Sequence, residues 1–152
     1  MRIALKILTL CVALVIAGCS TDRATKEAIR RAETIAREMP DSALLLIESV
    51  DPQNVRGEDD KAHYRLVEAE VLYYNRILPD REEVAQPLFD HYLTSNDHRE
   101  RARAMYQYAL VMQAEGENAE ALYALLEAEK SLELCKYLDK PRLQGLVHRT
   151  KG

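Results

Sequence analysis

Two of the four histidines lie close enough in sequence to raise the question of metal chemistry. His91 and His98 flank a short polar stretch, and each follows an aspartate, Asp90 and Asp97 respectively. Their seven-residue spacing does not match the spacings with which one helix presents two histidine ligands to a single ion. The pattern therefore favours solvated or capping histidines, and we expect no metal site.

The carboxylates are numerous, but their placement does not favour acid–base catalysis. A glycosidase-type pair needs a set separation within a cleft and one raised pKa. Most acidic residues here lie where helices are predicted to begin, or on outer faces, where they favour helix stability and solubility. With five glycines in the chain there is also no glycine-rich phosphate loop. We expect no catalytic residue, no cofactor and no enzymatic activity.

The charge of the chain argues against nucleic acid as a partner. The net charge is −4, whereas phosphate binding depends on a basic patch. The stretch "HRERAR" at 98–103 is basic but contains Glu100 and no aromatic residue. It predicts a solvated helix start.

Cys19 follows an apolar run that is too short to cross a bilayer. Residues 7–17 are apolar except for Thr9, and a membrane-spanning helix needs about 20 such residues. Arg2 and Lys6 precede this run, and small residues end it. This pattern is typical of a cleaved export signal. The alternative is a cysteine buried in an amphipathic or membrane-spanning helix.

The tetrapeptide Ile16-Ala17-Gly18-Cys19 resembles the bacterial lipobox. In lipoproteins the cysteine thiolate takes a diacylglyceryl group, cleavage leaves that cysteine as residue one, and its amine is acylated. The resemblance implies a palmitate-type lipid anchor on Cys19 in the bacterial cell envelope. Ser20 after the cysteine resembles the outer-membrane version, facing the periplasm, more than the inner-membrane version. Cys135 has no disulfide partner left, which predicts a small buried hydrophobe.

Composition and periodicity predict an all-α fold. Ala, Leu, Glu and Arg are abundant and tryptophan is absent. Apolar residues at helical spacing and the proline and glycine breaks predict helices over 22–39, 41–50, 61–77, 80–93, 99–115 and 119–138. Asp80 and Glu83 form a capping box, and Gly116 is a helix stop.

Short connections predict stacked antiparallel hairpins. "SALLLIES" from Ser42 aligns with "EALYALLE" from Glu120, and the offset is in the range of helical repeats.

The segment "RARAMYQYALVMQAEGENAEALYALLEAEKSLE" resembles one tetratricopeptide (TPR) repeat. Gly116-Glu117 fits the turn between its two helices, although Glu133 stands near the place of the family's last proline. The following residues match the family's other positions: Met105, Tyr108, Ala109, Met112, Ala121, Leu125 and Ala128. Small residues there allow two helix backbones to approach closely.

"MPDSALLLIESVDP" and "KAHYRLVEAEVLYYNRI" are similar to the N-terminal region of TPR lipoproteins common in Bacteroides and its relatives. The resemblance implies a lipoprotein signal peptide over 1–18, a tether over 19–24 and a TPR-like solenoid over 25–138. Residues 139–152 resemble the incomplete start of a further hairpin. No polar capping face is evident there, so we expect an exposed apolar end that favours self-association or a partner.

The TPR register places a tentative partner-binding groove on one helix. Arg103, Tyr106, Leu110 and Gln113 would face the concave side, where the family binds peptides or partner helices. The resemblance therefore implies a membrane-anchored scaffold that binds an envelope protein or peptide. The alternatives are a solvated face at these positions and, for the whole chain, a truncated sensor portion of a larger membrane-linked regulator.

Overall fold

The computed structural model describes residues 21–135 and 140–151, and all of their regular structure is helical. The all-α prediction is therefore confirmed for this part of the chain. Cys19, the predicted signal peptide and residues 136–139 lie outside the described residues. Among the residues described, no helix is both long and apolar enough to cross a membrane.

Seven α-helices follow one another in the described chain. They are α1 (Arg23–Ile35), α2 (Pro40–Glu48), α3 (Glu58–Tyr74), α4 (Gln86–Tyr92), α5 (His98–Glu115), α6 (Asn118–Leu134) and α7 (Lys140–Lys151). A 3₁₀ turn, Pro52–Asn54, lies between α2 and α3, and a π-helical turn, Arg81–Ala85, leads directly into α4.

Capping residues explain where several helices begin and end. Asp22 accepts a hydrogen bond from the backbone N–H of Thr25 at 3.0 Å, and Asp80 accepts one from Glu83 at 2.8 Å. Asp97 accepts two at the start of α5. Gly116 ends α5 with φ of +84°, a backbone conformation that glycine adopts without steric cost.

The predicted helix ends differ from the observed ones at the prolines. Pro40 was expected to end the first helix, but α1 ends at Ile35, whose carbonyl accepts bonds from the N–H groups of Glu38 and Met39. Pro40 instead occupies the first turn of α2, where its missing N–H has no helical partner to lose. Pro87 likewise lies in the first turn of α4, so the segment predicted as one helix over 80–93 is a π-helical turn followed by α4.

The core consists of two clusters that share α3. One face of α3, with Val67 and Val71, packs against α1 and α2. The other face, with Ala62 and Leu66, belongs to the larger cluster that extends through α4, α5 and α6 to Leu143 and Val147 of α7. Because both clusters draw on α3, this helix joins the two halves of the described chain.

The helices pack in chain order. α1 contacts α2 and α3, α3 contacts α4 and α5, and α5 contacts α6 and α7, while each of α2, α4 and α6 also contacts the helix that follows it. Residues in the first turns of α1 and α3 meet, since Lys26 Nζ lies 2.8 Å from an Asp60 carboxylate oxygen. Ala36 and Tyr74, at the ends of α1 and α3, line one cleft. The contacts His63–Glu100 and Tyr73–Tyr106 advance together along α3 and α5. The odd-numbered helices α1, α3 and α5 therefore run side by side in the same direction.

Four residues of the predicted tether over 19–24 are among the described residues, 21–24. Thr21 is buried, Asp22 caps α1, and the helix itself begins at Arg23. The first residues after Ser20 are therefore part of the fold.

Candidate functional site

The first turns of α5 carry the densest group of charged side chains in the described chain. Asp97 caps the helix, so His98 and the residues after it are already helical. Glu100 and Arg103 are three residues apart and lie on the same face. That face packs toward α3 and α1, which places Arg103 opposite the acidic residues of two other helices.

Arg103 is buried, with 3% of its surface exposed, and it pairs with three glutamates. Its Nε and Nη2 hold the two carboxylate oxygens of Glu70 at 2.8 and 2.5 Å, a two-pronged arrangement that fits the planar guanidinium. Nη1 donates to Glu100 at 2.6 Å, and Nη2 lies 2.8 Å from Glu33. We call Arg103, Glu33, Glu70, Glu100 and His63 the Arg103 cluster.

His63 of α3 connects the outer glutamates of this cluster. Its Nδ1 lies 3.4 Å from Glu100, and its Nε2 lies 3.6 Å from Glu33. The hydrogen bond to Glu100 raises the pKa of His63, against the opposite effect of partial burial. A protonated His63 adds a positive charge beside the carboxylates of Glu100 and Glu33.

The pKa values of the cluster follow from burial and mutual attraction. Burial lowers the pKa of the Arg103 guanidinium, but Glu70, Glu100 and Glu33 outweigh it and raise that pKa overall. Burial raises the pKa of Glu100, and hydrogen bonding to His63 together with the charge of Arg103 outweighs it, so that pKa is lowered. The mutual attraction therefore favours the charged forms of Arg103 and Glu100, and the cluster connects α1, α3 and α5.

An open cleft of about 270 Å³ lies beside the cluster. Its lining mixes both signs of charge: Glu33, Glu38 and Glu70 with Arg37, Arg99 and Arg103. These groups largely neutralise each other, and the pKa of Glu100 is lowered, whereas a general acid needs a raised pKa. The geometry supports a structural role for the Arg103 cluster, which holds α1, α3 and α5 together.

The four residues of the predicted groove do not share an open surface. Arg103 is in the buried cluster, and Tyr106 is also buried, with its ring 6.1 Å from Tyr73 and its hydroxyl 3.4 Å from the Thr150 hydroxyl of α7. Leu110 is partly buried and Gln113 is exposed. The expectation that all four face an open groove is wrong for the described chain, because α3 and α7 cover this side of α5.

The solvated start predicted for α5 is also corrected. Arg101 has a side chain only 16% exposed and pairs with Glu127 of α6, and Arg103 is buried. Both arginines therefore join helices instead of facing water.

The other histidines and Cys135 lie outside the Arg103 cluster. No group of three or more histidine, cysteine, aspartate or glutamate side chains there could hold a metal ion. His91 lies 3.6 Å from Asp59, and His148 lies 3.7 Å from Glu129. Cys135 is free and buried, as predicted.

The outer face of α6 is the most apolar exposed surface of a helix in the described chain. Leu122, Tyr123 and Leu126 are 49%, 48% and 48% exposed, and they lie on one side because they are three and four residues apart. Tyr123 differs in this respect from Tyr64, Tyr92 and Tyr108, which are buried. The spacing of Leu122 and Leu126 is the signal in the sequence that could have revealed this surface.

The exposed surface of α7 is polar, contrary to the expected apolar end. Leu143 and Val147 are buried against α5 and α6, while Gly145, His148 and Arg149 face outward. Lys151 also pairs with Glu129 of α6 at 2.7 Å. Of these two helices, α6 and not α7 exposes large apolar side chains.

Comparison with protein-family models, with curated proteins and with solved structures gives no match for this chain.

Proposed function

We propose that the chain is a lipid-anchored scaffold of stacked helical pairs that binds another protein of the bacterial cell envelope. The tetrapeptide Ile16-Ala17-Gly18-Cys19 after a short apolar run supports the lipid anchor. On this proposal Cys19 holds the chain at the outer membrane, facing the periplasm. Anchoring raises the local concentration of the chain around partners in the same compartment.

A TPR-like array is supported by the order in which the helices pack. In a repeat array each unit contacts its neighbours in sequence, and α1 to α7 do so. The resemblance also requires small residues where paired helices approach, and Ala109, Ala121 and Ala128 are all buried at 0 to 5% exposure. We assign the pairs α1–α2, α3–α4 and α5–α6 to three such repeats.

The observation that carries the binding function is the outer face of α6. Three large apolar side chains, Leu122, Tyr123 and Leu126, expose about half their surface side by side. Contiguous exposed apolar surface of this kind marks interaction sites in soluble domains. Lys130 continues the same face with a charge. The partner that fits is an amphipathic helix that covers the leucines and places an acidic residue near Lys130.

Photo-crosslinking in intact cells tests this function. A photo-reactive phenylalanine analogue replaces Leu126 in one variant and Gln113 in another, since Gln113 is exposed on α5 and belonged to the predicted groove. We expect one defined envelope protein to crosslink from position 126 and not from position 113. Crosslinking of that protein from position 113 alone would place binding in the predicted groove, and no crosslink from either position would contradict the scaffold function.

A further inference from the structure

The described chain begins with a threonine that is fixed to a distant loop. Thr21 is 4% exposed. Its hydroxyl donates to the carbonyl of Arg56 at 2.9 Å and accepts from the backbone N–H of Arg56 at 2.7 Å. Asp22 then caps α1. We call the two hydrogen bonds between Thr21 and Arg56 the clamp. The clamp holds Thr21 against the loop that precedes α3.

Ser20 is the one residue between the clamp and Cys19. An extended chain covers at most about 3.3–3.6 Å per residue, so the Cα atoms of Cys19 and Thr21 are within roughly 7 Å of each other. If Cys19 carries the lipid, as the proposed function states, the glycerol backbone of that lipid lies next to the clamp. The attachment is too short to let the domain move away from the membrane.

The clamp lies at one edge of the helix array. α1, α3 and α5 run in the same direction, and Thr21 and Arg56 precede the first turns of α1 and α3. We call residues 21–23 and 51–57 the proximal edge. The ends of α1 and α3 form the opposite edge, where Asn75 Nδ2 donates to the carbonyl of Pro40 at 3.0 Å.

The surface of the proximal edge suits contact with lipid headgroups. Val55 is buried, while the exposed side chains there include polar ones and charges of both signs, at Asp22, Arg23, Asp51, Gln53, Asn54 and Arg56. These residues offer polar groups to headgroups and no large apolar side chain that would insert into the acyl region.

We propose that the proximal edge rests on the lipid surface and that α1, α3 and α5 point away from it. The inference rests on the proposed lipid anchor and adds one fixed orientation of the domain relative to the membrane. The opposite edge is then held about 20 Å further out, since α1 has 13 residues. In this orientation the outer face of α6 faces sideways, at a fixed distance from the membrane surface.

Fluorescence quenching by lipids tests this orientation in the lipidated full-length chain. Single cysteines replace Asn54 on the proximal edge or Glu38 after the end of α1, both exposed. A thiol-reactive fluorophore labels them selectively, because Cys135 is buried and Cys19 carries the lipid. In phosphatidylethanolamine–phosphatidylglycerol vesicles with headgroup quenchers, we expect several-fold stronger quenching at position 54 than at position 38.

Two further variants separate the clamp from the anchor. Eight Gly/Ser residues inserted after Ser20 form a flexible linker of roughly 16 Å and should equalise quenching at the two positions. Thr21→Val removes both hydroxyl hydrogen bonds and should reduce the difference. Equal quenching in the native chain, with the lipid on Cys19 verified by mass, would overturn the fixed orientation alone. Absence of that lipid would overturn the anchor and the orientation together.

Discussion

Replacing Arg103 with methionine is expected to lower the free energy of unfolding by about 3–5 kcal/mol, the usual effect of removing one partner from a buried ion pair. Arg103 is 3% exposed and holds Glu33, Glu70 and Glu100. Methionine fills much of the same volume, so the loss comes from leaving three carboxylates close together without their shared cation. Urea unfolding of the purified chain, followed by circular dichroism, measures this loss.

Arg30→Met is the matched control, since Arg30 pairs with Glu27 on the exposed side of α1. That substitution should leave the unfolding midpoint unchanged. Adding Glu70→Leu to Arg103→Met should recover part of the stability, because it removes one of the uncompensated charges. A loss below about 1 kcal/mol for Arg103→Met would show that the Arg103 cluster behaves like a surface ion pair and does not join the helices.

Replacing both Leu122 and Leu126 with glutamine is expected to weaken partner binding roughly 10- to 100-fold. Burying a leucine fully stabilises by about 1.5–3 kcal/mol, and each of these two has about half its surface left to bury. The loss of stability should be small, since about half of each side chain already faces water in the free chain. The crosslink yield from a photo-reactive group at Tyr123, measured across expression levels, gives the change in apparent affinity.

Leu45→Gln is the control for this pair. Leu45 lies on α2 and is 70% exposed, so the same chemical change is made away from α6. We expect its crosslink yield from position 123 to equal that of the native chain. A crosslink yield in the Leu122 and Leu126 double variant equal to that of the native chain would contradict the assignment of the binding surface to α6.

The local features of the fold could be predicted from the sequence because they depend on neighbouring residues. The helix cap at Asp80, which accepts from the N–H of Glu83, and the stop at Gly116 were found in this way, and both are present. Apolar residues three and four apart also predicted the helices. Helix ends near Pro40 and Pro87 were less accurate, since a proline can either follow one helix or open the next.

The Arg103 cluster could not be predicted because its partners are distant in sequence. Glu33 and Glu70 come from other helices, and only Glu100 is within one turn of Arg103. Judged locally, "HRERAR" resembles any solvated helix start. The same reasoning explains Tyr106, since its burial depends on Tyr73 of α3 and Thr150 of α7. The link between Thr21 and Arg56 likewise joins residues 35 positions apart.

The most direct test of the central proposal, a lipid anchor on Cys19, is metabolic labelling of the chain with palmitate in bacterial cells. Labelling is expected in the native chain and in Cys11→Ala and Cys135→Ala, because Cys11 belongs to the predicted signal and Cys135 is buried. Cys19→Ala should abolish the label and leave an uncleaved precursor. Label that persists in Cys19→Ala, or a native chain that is never labelled, would contradict the lipoprotein and the function built on it.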